Sequence, residues 1–266
     1  MNQVRAKKNL GQHFLTDLSI ARKICDAYNE AKEGKVNTIE IGPGMGVLSQ
    51  YLLEREDLRF KLIEIDGESV EYLKEHFEIA DEDLLSADFL RLDLKKVFAG
   101  EKFGVIGNFP YNISSQIFFH ILEEKDLVPE VVCMLQREVA RRLASGPGNK
   151  DYGILSVFLQ AYYDIEYLFT VDENVFNPPP KVKSGVIRLK RNNVEKLDCD
   201  EKLFRQVVKT TFNQRRKTIW NSIRGIEFDH EGIREHEFMK KRPEQLSVQE
   251  FIELTNIVDS LRSKEQ

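Results

Sequence analysis

Residues 38–46 read TIEIGPGMG, an apolar and β-branched run that leads directly into three glycines. The run predicts a buried strand, and the glycines predict a turn whose missing side chains let a ligand approach backbone amides. The dinucleotide fingerprint G-x-G-x-x-G would need a glycine at position 47, where this chain has Val47. We therefore assign Gly42 and Gly44 to a site for a smaller, adenosine-containing ligand, although a lone glycine-rich turn is weak support for such a site.

The pattern around this stretch predicts an α/β fold. Short apolar runs alternate with helical segments up to about residue 191, as in a parallel sheet flanked by helices. We predict strands at 38–41, 59–65, 84–87, 103–106, 131–135, 164–171 and 185–189, the last two forming an antiparallel edge. We predict helices at 47–53, 69–77, 114–122, 202–212 and 246–261. The strand pattern stops near 192–193, so a domain boundary is expected there, between domains of 1–191 and 195–266.

Three polar side chains are expected at the ends of successive strands. Glu64 comes at the end of the second predicted strand, Asp88 follows the third, and Asn108 follows the fourth. Because the carboxyl ends of parallel strands meet at one edge of a sheet, these side chains should surround the glycine-rich turn. Glu64 is placed to accept hydrogen bonds from both ribose hydroxyls, and Asp88 from an adenine amine. Each acid alone is typical of a solvated strand end, but their joint spacing favours a nucleoside site.

The segment Asn108-Phe109-Pro110-Tyr111 predicts a loop that binds an aromatic amine. The exocyclic amine of adenine is a poor nucleophile because its lone pair is delocalised into the ring, so a catalyst must hold and polarise the nitrogen. Asn108 offers an acceptor, Pro110 has no N–H and rigidifies the turn so that main-chain carbonyls face the amine, and Tyr111 offers a stacking face. A plain strand-to-loop turn is the alternative, since Asn and Pro are common turn formers.

Charge is unevenly distributed along the chain. The net charge of −5 at pH 7 argues mildly against a nucleic-acid partner, since phosphate-binding domains tend to be basic. Residues 202–224 nevertheless contain seven basic residues and no acidic one. Within this segment Arg215, Arg216 and Lys217 are suited to phosphate contacts, the alternative being a solvated helix face.

Cysteine and histidine usage indicates neither a disulfide framework nor a metal site. Cys25, Cys133 and Cys199 are odd in number and far apart, and the five histidines show no ligand spacing, so no metal is expected. No apolar leader follows the first basic residues, and no apolar stretch is long enough to span a membrane. We therefore expect a cytoplasmic protein.

Seven short motifs follow one another along almost the whole chain. They are NLGQHFL at 9–15, EIGPGMG at 40–46, NFPYNIS at 108–114, QREVA at 136–140, PPKVKS at 179–184, FNQRRKT at 212–218 and RPEQLS at 242–247. Together they resemble the family of ribosomal RNA adenine N6,N6-dimethyltransferases that act on small-subunit (16S) RNA. The resemblance implies a Rossmann-like, seven-stranded methyltransferase sheet, followed by a small all-helical C-terminal domain that recognises RNA.

The resemblance also implies a cofactor, a substrate and residue roles. S-adenosylmethionine would be the methyl donor, contacted by His13, Leu15, Gly42, Glu64, Asp88 and Asn108. Asn108 and the Pro110 carbonyl would hold the target amine, Tyr111 would stack on the adenine, and Phe176 would cover its other face unless it is a core aromatic. The substrate would be two adjacent adenosines near the 3′ end of the RNA, modified by a monomer during ribosome assembly. A large-subunit adenine methyltransferase and a non-catalytic assembly factor are the alternatives.

Overall fold

The computed structural model describes residues 4–29 and 34–262. Two compact units are present: a sheet unit of residues up to 141 with 164–191, and a helical unit of 142–163 with residues from 192 on. The strands are β1 (Phe14–Leu15), β2 (Val36–Ile41), β3 (Leu58–Glu64), β4 (Leu84–Ser86), β5 (Phe103–Asn108), β6 (Glu130–Gln136), β7 (Tyr163–Val171), β8 (Phe176–Asn177) and β9 (Ser184–Arg191). The α-helices are α1 (Leu18–Ala27), α2 (Ser49–Leu52), α3 (Gly67–His76), α4 (Leu94–Val97), α5 (Ser114–Glu123), α6 (Arg137–Ala144), α7 (Ile154–Gln160), α8 (Glu201–Asn213), α9 (Ile219–Ser222) and α10 (Val248–Ser260).

The sheet unit is built on seven strands in the order β4-β3-β2-β5-β6-β9-β7. The first five of these are parallel to one another. β9 runs antiparallel to β6, and β7 lies beyond β9 at the edge. The predicted α/β fold, with seven strands and an antiparallel portion, is confirmed.

β2 lies where the strand order reverses. The chain passes from β2 to β3 on one side and reaches β5 on the other, so that Glu40 of β2 is paired with both Leu62 and Ile106. In open parallel sheets, ligands bind in the crevice at the carboxyl ends of the strands beside such a reversal. The glycine-rich turn follows β2 directly and therefore lies at this crevice.

The central strands are buried on both faces. Ile39 of β2, Val105 of β5 and Val132 of β6 are all without solvent exposure. Strands of a parallel sheet that is covered on both faces read as continuous apolar runs rather than as alternating ones. The apolar runs of the sequence therefore located these strands to within a few residues.

A second, two-stranded sheet positions the N-terminal segment. β1 and β8 pair antiparallel, with Leu15 opposite Phe176. The N–H and the hydroxyl of Thr16 both donate to the Val175 carbonyl, at 2.8 and 2.9 Å. This pairing was not predicted, because two-residue strands carry no periodicity in the sequence.

The helical unit is organised around α8 and α10, which pack against each other. The apolar face of α8 is buried, and Asp200 caps the helix by accepting from the Leu203 N–H at 2.6 Å. Ser247 and Glu250 form a reciprocal capping box at the start of α10. These caps satisfy backbone N–H groups that have no partner within the helix.

The helical unit also contains residues 142–163, which precede the expected boundary. α7 packs against α8, and the rings of Tyr152 and Phe212 lie 6.3 Å apart. α7 was not predicted. The compact units thus differ from the expected division at 191–195, and the division into folding domains stays a prediction.

Over residues 4–29 and 34–262, no helix has both the length and the apolar character needed to cross a membrane. The same residues contain no group of three or more His, Cys, Asp or Glu side chains arranged to hold a metal ion. All three cysteines are free thiols, and Cys25 and Cys133 are buried.

Candidate active site

A pocket of about 240 Å³ lies at the carboxyl edge of the sheet. Its wall combines the N-terminal segment 9–15, the turn after β2 and residues at the ends of β3, β4 and β5. The predicted site residues that line it are His13, Leu15, Gly42, Gly44, Glu64, Asp88, Asn108, Pro110 and Tyr111. The fold brings these residues together at one place, while the role of each stays a prediction.

The turn after β2 requires glycine. Gly42 and Gly44 have φ values of 65° and 57°, in the left-handed region that disfavours other residues. A Cβ on Gly44 would lie 2.8 Å from Cε1 of Phe14. A larger residue at position 44 would therefore force the Phe14 ring to shift.

Glu64, the last residue of β3, is held by two backbone N–H groups. Its Oε2 accepts from the Gly44 N–H at 3.0 Å, and its Oε1 accepts from the Asp66 N–H at 2.9 Å. The residue is only 4% exposed, and burial raises its pKa while the backbone hydrogen bonds oppose that shift. Each carboxylate oxygen has a second lone pair, so the group offers two fixed acceptors, as a ribose diol requires.

Asp88 lies beyond β4, where it caps the helical turn that follows. Its Oδ1 accepts from the Leu90 N–H at 3.0 Å, and Oδ2 lies 3.4 Å from Nε of Arg91. The side chain is 31% exposed and lines the pocket. A carboxylate at this position can accept a hydrogen bond from an amine, which is the role predicted for it.

Asn108 is the last residue of β5, where it pairs with Met134 of β6. Its Nδ2 donates to the His13 carbonyl at 3.0 Å, which orients the amide and leaves Oδ1 as the acceptor for an amine. The Pro110 carbonyl accepts from the Ile113 N–H at 3.2 Å and has a second lone pair. Two acceptors suited to an amine are thus held within three residues of each other.

Tyr111 presents a half-buried ring in the pocket wall. Its ring centroid lies 5.4 Å from that of His13, with a tilt of 31°. Its hydroxyl lies 2.5 Å from Oγ of Ser184. Burial raises the pKa of Tyr111, although the hydrogen bond with Ser184 opposes the shift, so the phenol is neutral at pH 7.

Phe176 is not brought to the pocket. Its position opposite Leu15 in the β1–β8 pair turns the side chain into the hydrophobic core, where it is 4% exposed among residues such as Val171 and Val186. It is absent from the pocket wall, in contrast to Tyr111. In this arrangement Phe176 is a core aromatic, which was the alternative to a base contact. Its predicted contact with a base needs a different side-chain orientation.

The contacts that hold the N-terminal segment were not predicted. Asp66, which is 2% exposed, forms an ion pair with Lys7 and accepts from Nε2 of Gln12 at 3.0 Å. Burial opposes ionisation of Asp66, but the hydrogen bonds from Lys7 and Gln12 outweigh it and lower the pKa of the carboxyl. The sequence signal was the second acid of Glu64-Ile65-Asp66, which was assigned no role.

Arg215, Arg216 and Lys217 in the helical unit have different surroundings. The Arg215 guanidinium donates to the Lys150 carbonyl, and its Nε lies 4.0 Å from the Glu244 carboxylate. Arg216 and Lys217 are exposed. The structure therefore separates Arg215 from the other two predicted RNA contacts, and the RNA-binding role of all three stays a prediction.

Glu40, in the middle of the apolar run of β2, was also assigned no role. It is 1% exposed and lines the pocket, and its Oε2 accepts from the Ser49 hydroxyl at 2.7 Å. Burial raises its pKa to about 8, with a smaller contribution from nearby Glu64 and opposition from the Ser49 hydrogen bond. Glu40 is therefore mostly protonated at neutral pH.

This protonation predicts a pH dependence of stability that one variant should remove. The unfolded chain releases the Glu40 proton near its ordinary pKa of 4.5, whereas the folded chain holds it up to about pH 8. The folded state then binds more protons, so the free energy of unfolding falls as pH rises from 5 to 8. Glu40→Gln should remove the part of this decline that is due to Glu40. The difference in free energy of unfolding between the variant and the unsubstituted protein should therefore change by more than about 1.4 kcal/mol between pH 5 and pH 8.

Urea unfolding at pH 5 and pH 8 measures the difference. Glu75→Gln is the matched control, because Glu75 is exposed on α3. A stability difference between Glu40→Gln and the unsubstituted protein that stays constant with pH would contradict the protonation of Glu40.

Comparisons with known proteins show the family to which this chain belongs. A family model described as "Ribosomal RNA adenine dimethylase" matches residues 3–257. The Ribosomal RNA small subunit methyltransferase A of Bacteroides thetaiotaomicron is 55% identical over 259 residues, which are 97% of this chain and 96% of that protein.

Solved structures share the architecture. The crystal structure of a dimethyladenosine transferase from Plasmodium falciparum matches with a TM-score of 0.72 at 22% identity, covering 91% of this chain and 96% of that chain. The crystal structure of the 23S rRNA methyltransferase ErmE matches with a TM-score of 0.64 at 25% identity, covering 92% and 99%. The predicted fold class and family are thus confirmed, and the chain belongs to the ribosomal RNA adenine dimethylase family.

Proposed function

We propose that this protein transfers methyl groups from S-adenosylmethionine to the N6 amines of two adjacent adenosines near the 3′ end of small-subunit (16S) ribosomal RNA. The product is N6,N6-dimethyladenosine. The observation that carries the proposal is one pocket lined both by Glu64 and Asp88, which suit a nucleoside cofactor, and by Asn108 and Tyr111, which suit an aromatic amine. Family membership supports ribosomal adenine as the target, and the name of the Bacteroides relative supports the small subunit.

The residues of the pocket fit this cofactor. When bound, it supplies an electrophilic methyl group on a sulfonium centre. The Glu64 carboxylate, fixed by the Gly44 and Asp66 N–H groups, accepts hydrogen bonds from the ribose hydroxyls. Asp88 accepts from the adenine amine of the cofactor, and Leu15 supplies an apolar surface.

The catalytic loop, residues 108–111, holds and polarises the target nitrogen. Oδ1 of Asn108 and the Pro110 carbonyl accept the two N–H groups of the amine, which favours a tetrahedral nitrogen as positive charge develops on it. Tyr111 stacks on the target base, a contact that contributes about 1–3 kcal/mol per base. The target adenine must leave the stack of neighbouring bases to reach the pocket. Once the adenine is bound, catalysis depends mainly on positioning and on exclusion of water.

The second transfer places a different demand on the same residues. After one methylation the nitrogen has a single N–H, so only one of the two acceptors, Asn108 or Pro110, keeps a partner. Stacking on Tyr111 must then contribute a larger part of the positioning.

Methyl transfer to purified subunits tests the proposal. Small subunits that lack their terminal adenine methylations are incubated with labelled S-adenosylmethionine, and the RNA is analysed as nucleosides. Label in N6,N6-dimethyladenosine supports the proposal. Large-subunit RNA is the control substrate, because the fold is shared with ErmE. Label only in large-subunit RNA would favour the large-subunit alternative, and binding of small subunits without any transfer would favour an assembly factor.

The exposed basic pair of the helical unit provides a separate test of RNA binding. Neutralising Arg216 and Lys217 together should weaken binding to small-subunit RNA and leave cofactor affinity unchanged. If each contacts one phosphate, the slope of log K against log salt should become shallower by about 1.4–1.8. Binding measured at several salt concentrations gives this slope.

Two further variants calibrate that result. Lys95→Ala combined with Lys96→Ala removes the same charge from α4, where the two lysines form ion pairs with Glu124 and Asp93. It should leave the slope unchanged. Arg215→Ala should change the slope less than either exposed residue, because the Arg215 guanidinium already contacts the Lys150 carbonyl. An unchanged slope in the Arg216 and Lys217 variant would contradict their role.

The proposal includes the setting in which the protein acts. Its proposed substrate is ribosomal RNA within an immature small subunit, and its proposed location is the cytoplasm. The proposed acting form is a monomer, and sedimentation of the protein at micromolar concentration tests this.

A further inference from the structure

Two of the seven motifs, QREVA and PPKVKS, have no role in the proposed chemistry so far, yet they meet beside the catalytic loop. Gln136, at the end of β6, pairs with Ser184, at the start of β9. The Arg137 N–H donates to the Lys183 carbonyl at 2.9 Å. Ser184 is therefore fixed by backbone pairing on the side of β6 that is opposite to β5.

The Ser184 side chain contacts the hydroxyl of Tyr111. Its Oγ lies 2.5 Å from the hydroxyl of Tyr111, and the residue is without solvent exposure. On its other side the Tyr111 ring faces the His13 ring, whose Nδ1 hydrogen-bonds the Pro178 carbonyl at 2.8 Å. The ring is thus held at its hydroxyl end by β9 and along its face by the N-terminal segment.

We propose that Ser184 is a positioning residue, which acts through its hydrogen bond to Tyr111 and fixes the ring on which the target adenine stacks. This inference rests on the proposed function of Tyr111. A tyrosine ring without a partner at its hydroxyl rotates more freely about its side-chain bonds, so stacking a base on it must also restrict that rotation. The Ser184 hydrogen bond removes this cost before the substrate binds.

The consequence is greatest in the second methylation. The monomethylated amine offers one N–H to Asn108 and Pro110, so its placement depends more on the orientation of Tyr111. Loss of the Ser184 hydroxyl should therefore slow the second transfer more than the first, and monomethyladenosine should accumulate.

Ser184→Ala tests the inference in the full-length protein. The variant should lower kcat/KM for small subunits about 3–10-fold, as expected for loss of one neutral hydrogen bond. It should also raise the ratio of monomethyladenosine to dimethyladenosine, while the affinity for S-adenosylhomocysteine stays unchanged. Thr170→Ala is the matched control, since it removes the hydroxyl partner of Tyr167 at an exposed site, and it should change none of these quantities.

A double-mutant cycle with Tyr111→Phe separates positioning from a merely structural effect. Both substitutions remove the same hydrogen bond, so the double variant should have about the same kcat/KM as the less active of the two single variants. Effects on kcat/KM that multiply would overturn the inference, as would a loss in Ser184→Ala that affects cofactor affinity and both transfers equally.

A spectroscopic measurement keeps the inference separate from the proposed function. In protein labelled with 13Cζ-tyrosine, the Tyr111 resonance is assigned by its absence in Tyr111→Phe, and it should shift or broaden in Ser184→Ala. If the unsubstituted protein methylates no ribosomal RNA, the proposed function fails, whereas a resonance unchanged by Ser184→Ala overturns the positioning role of Ser184 itself.

Discussion

Asn108→Ala should lower the rate of methyl transfer by at least about 10²–10³-fold, the usual effect of removing a group that stabilises developing charge. In the proposed mechanism the side-chain oxygen of Asn108 is one of two acceptors for the target amine, and alanine removes it. Its Nδ2 also donates to the His13 carbonyl, so some loss of order in the N-terminal segment is expected as well. Single-turnover transfer to small subunits measures the rate with cofactor prebound.

Two measurements show whether the loss is chemical. The affinity for S-adenosylhomocysteine should fall by less than about tenfold, which corresponds to one neutral hydrogen bond at most. Asn37→Ala is the matched control, because Asn37 lies near the opposite end of the parallel sheet, paired with Phe103. Near-normal transfer by Asn108→Ala would remove Asn108 from the catalytic machinery and with it the basis of the proposed mechanism.

Glu64→Gln should lower the affinity for S-adenosylmethionine and S-adenosylhomocysteine by about 10²-fold or more. Hydrogen bonds to a charged acceptor contribute about 1.5–3 kcal/mol each, and in the proposed mechanism Glu64 accepts two from the ribose. The amide also has one NH₂ group where the carboxylate has an oxygen, so either the Gly44 or the Asp66 N–H loses its acceptor. Titration calorimetry with S-adenosylhomocysteine measures the affinity.

The effect of this substitution must be distinguished from unfolding. Thermal unfolding of the free protein reports any loss of the fold, and the comparison is made at a temperature at which the variant is folded. Glu71→Gln, the same chemical change on the exposed face of α3, should bind the cofactor normally. An affinity within threefold of the unsubstituted protein would show that Glu64 has only a structural role, in organising the turn after β2.

The sequence predicted those parts of the site that depend on local pattern. β2 and β5 are buried on both faces, so their apolar runs marked them, and the polar residues at the ends of β3 and β5 followed from the geometry of a parallel sheet. Glu64 and Asn108 were located in this way. Their surroundings were not, because the bonds from Gly44 to Glu64 and from Asn108 to His13 depend on how distant segments approach.

Phe176 shows where motif resemblance was insufficient. The family resemblance implied a contact with the base, but the direction of its side chain is set by pairing with Leu15, far away along the chain. A pairing of only two residues produces no recognisable pattern in the sequence of either segment. Arg215 is a similar case, since the acid near it, Glu244, comes from another motif and was not visible within the basic run.

The β1–β8 pair has a consequence for how the protein is made. Its two strands are about 160 positions apart, so β1 leaves the ribosome long before its partner exists. Pairings between distant residues form late in folding, because a long loop must be closed first. Until Phe176 has been synthesised, the segment that carries His13 has no strand to pair with, and it can be held at the pocket only by other contacts, such as those of Gln12 with Asp66 and of the His13 carbonyl with Asn108. A nascent chain therefore completes this part of the pocket wall only after Asn177 has been translated.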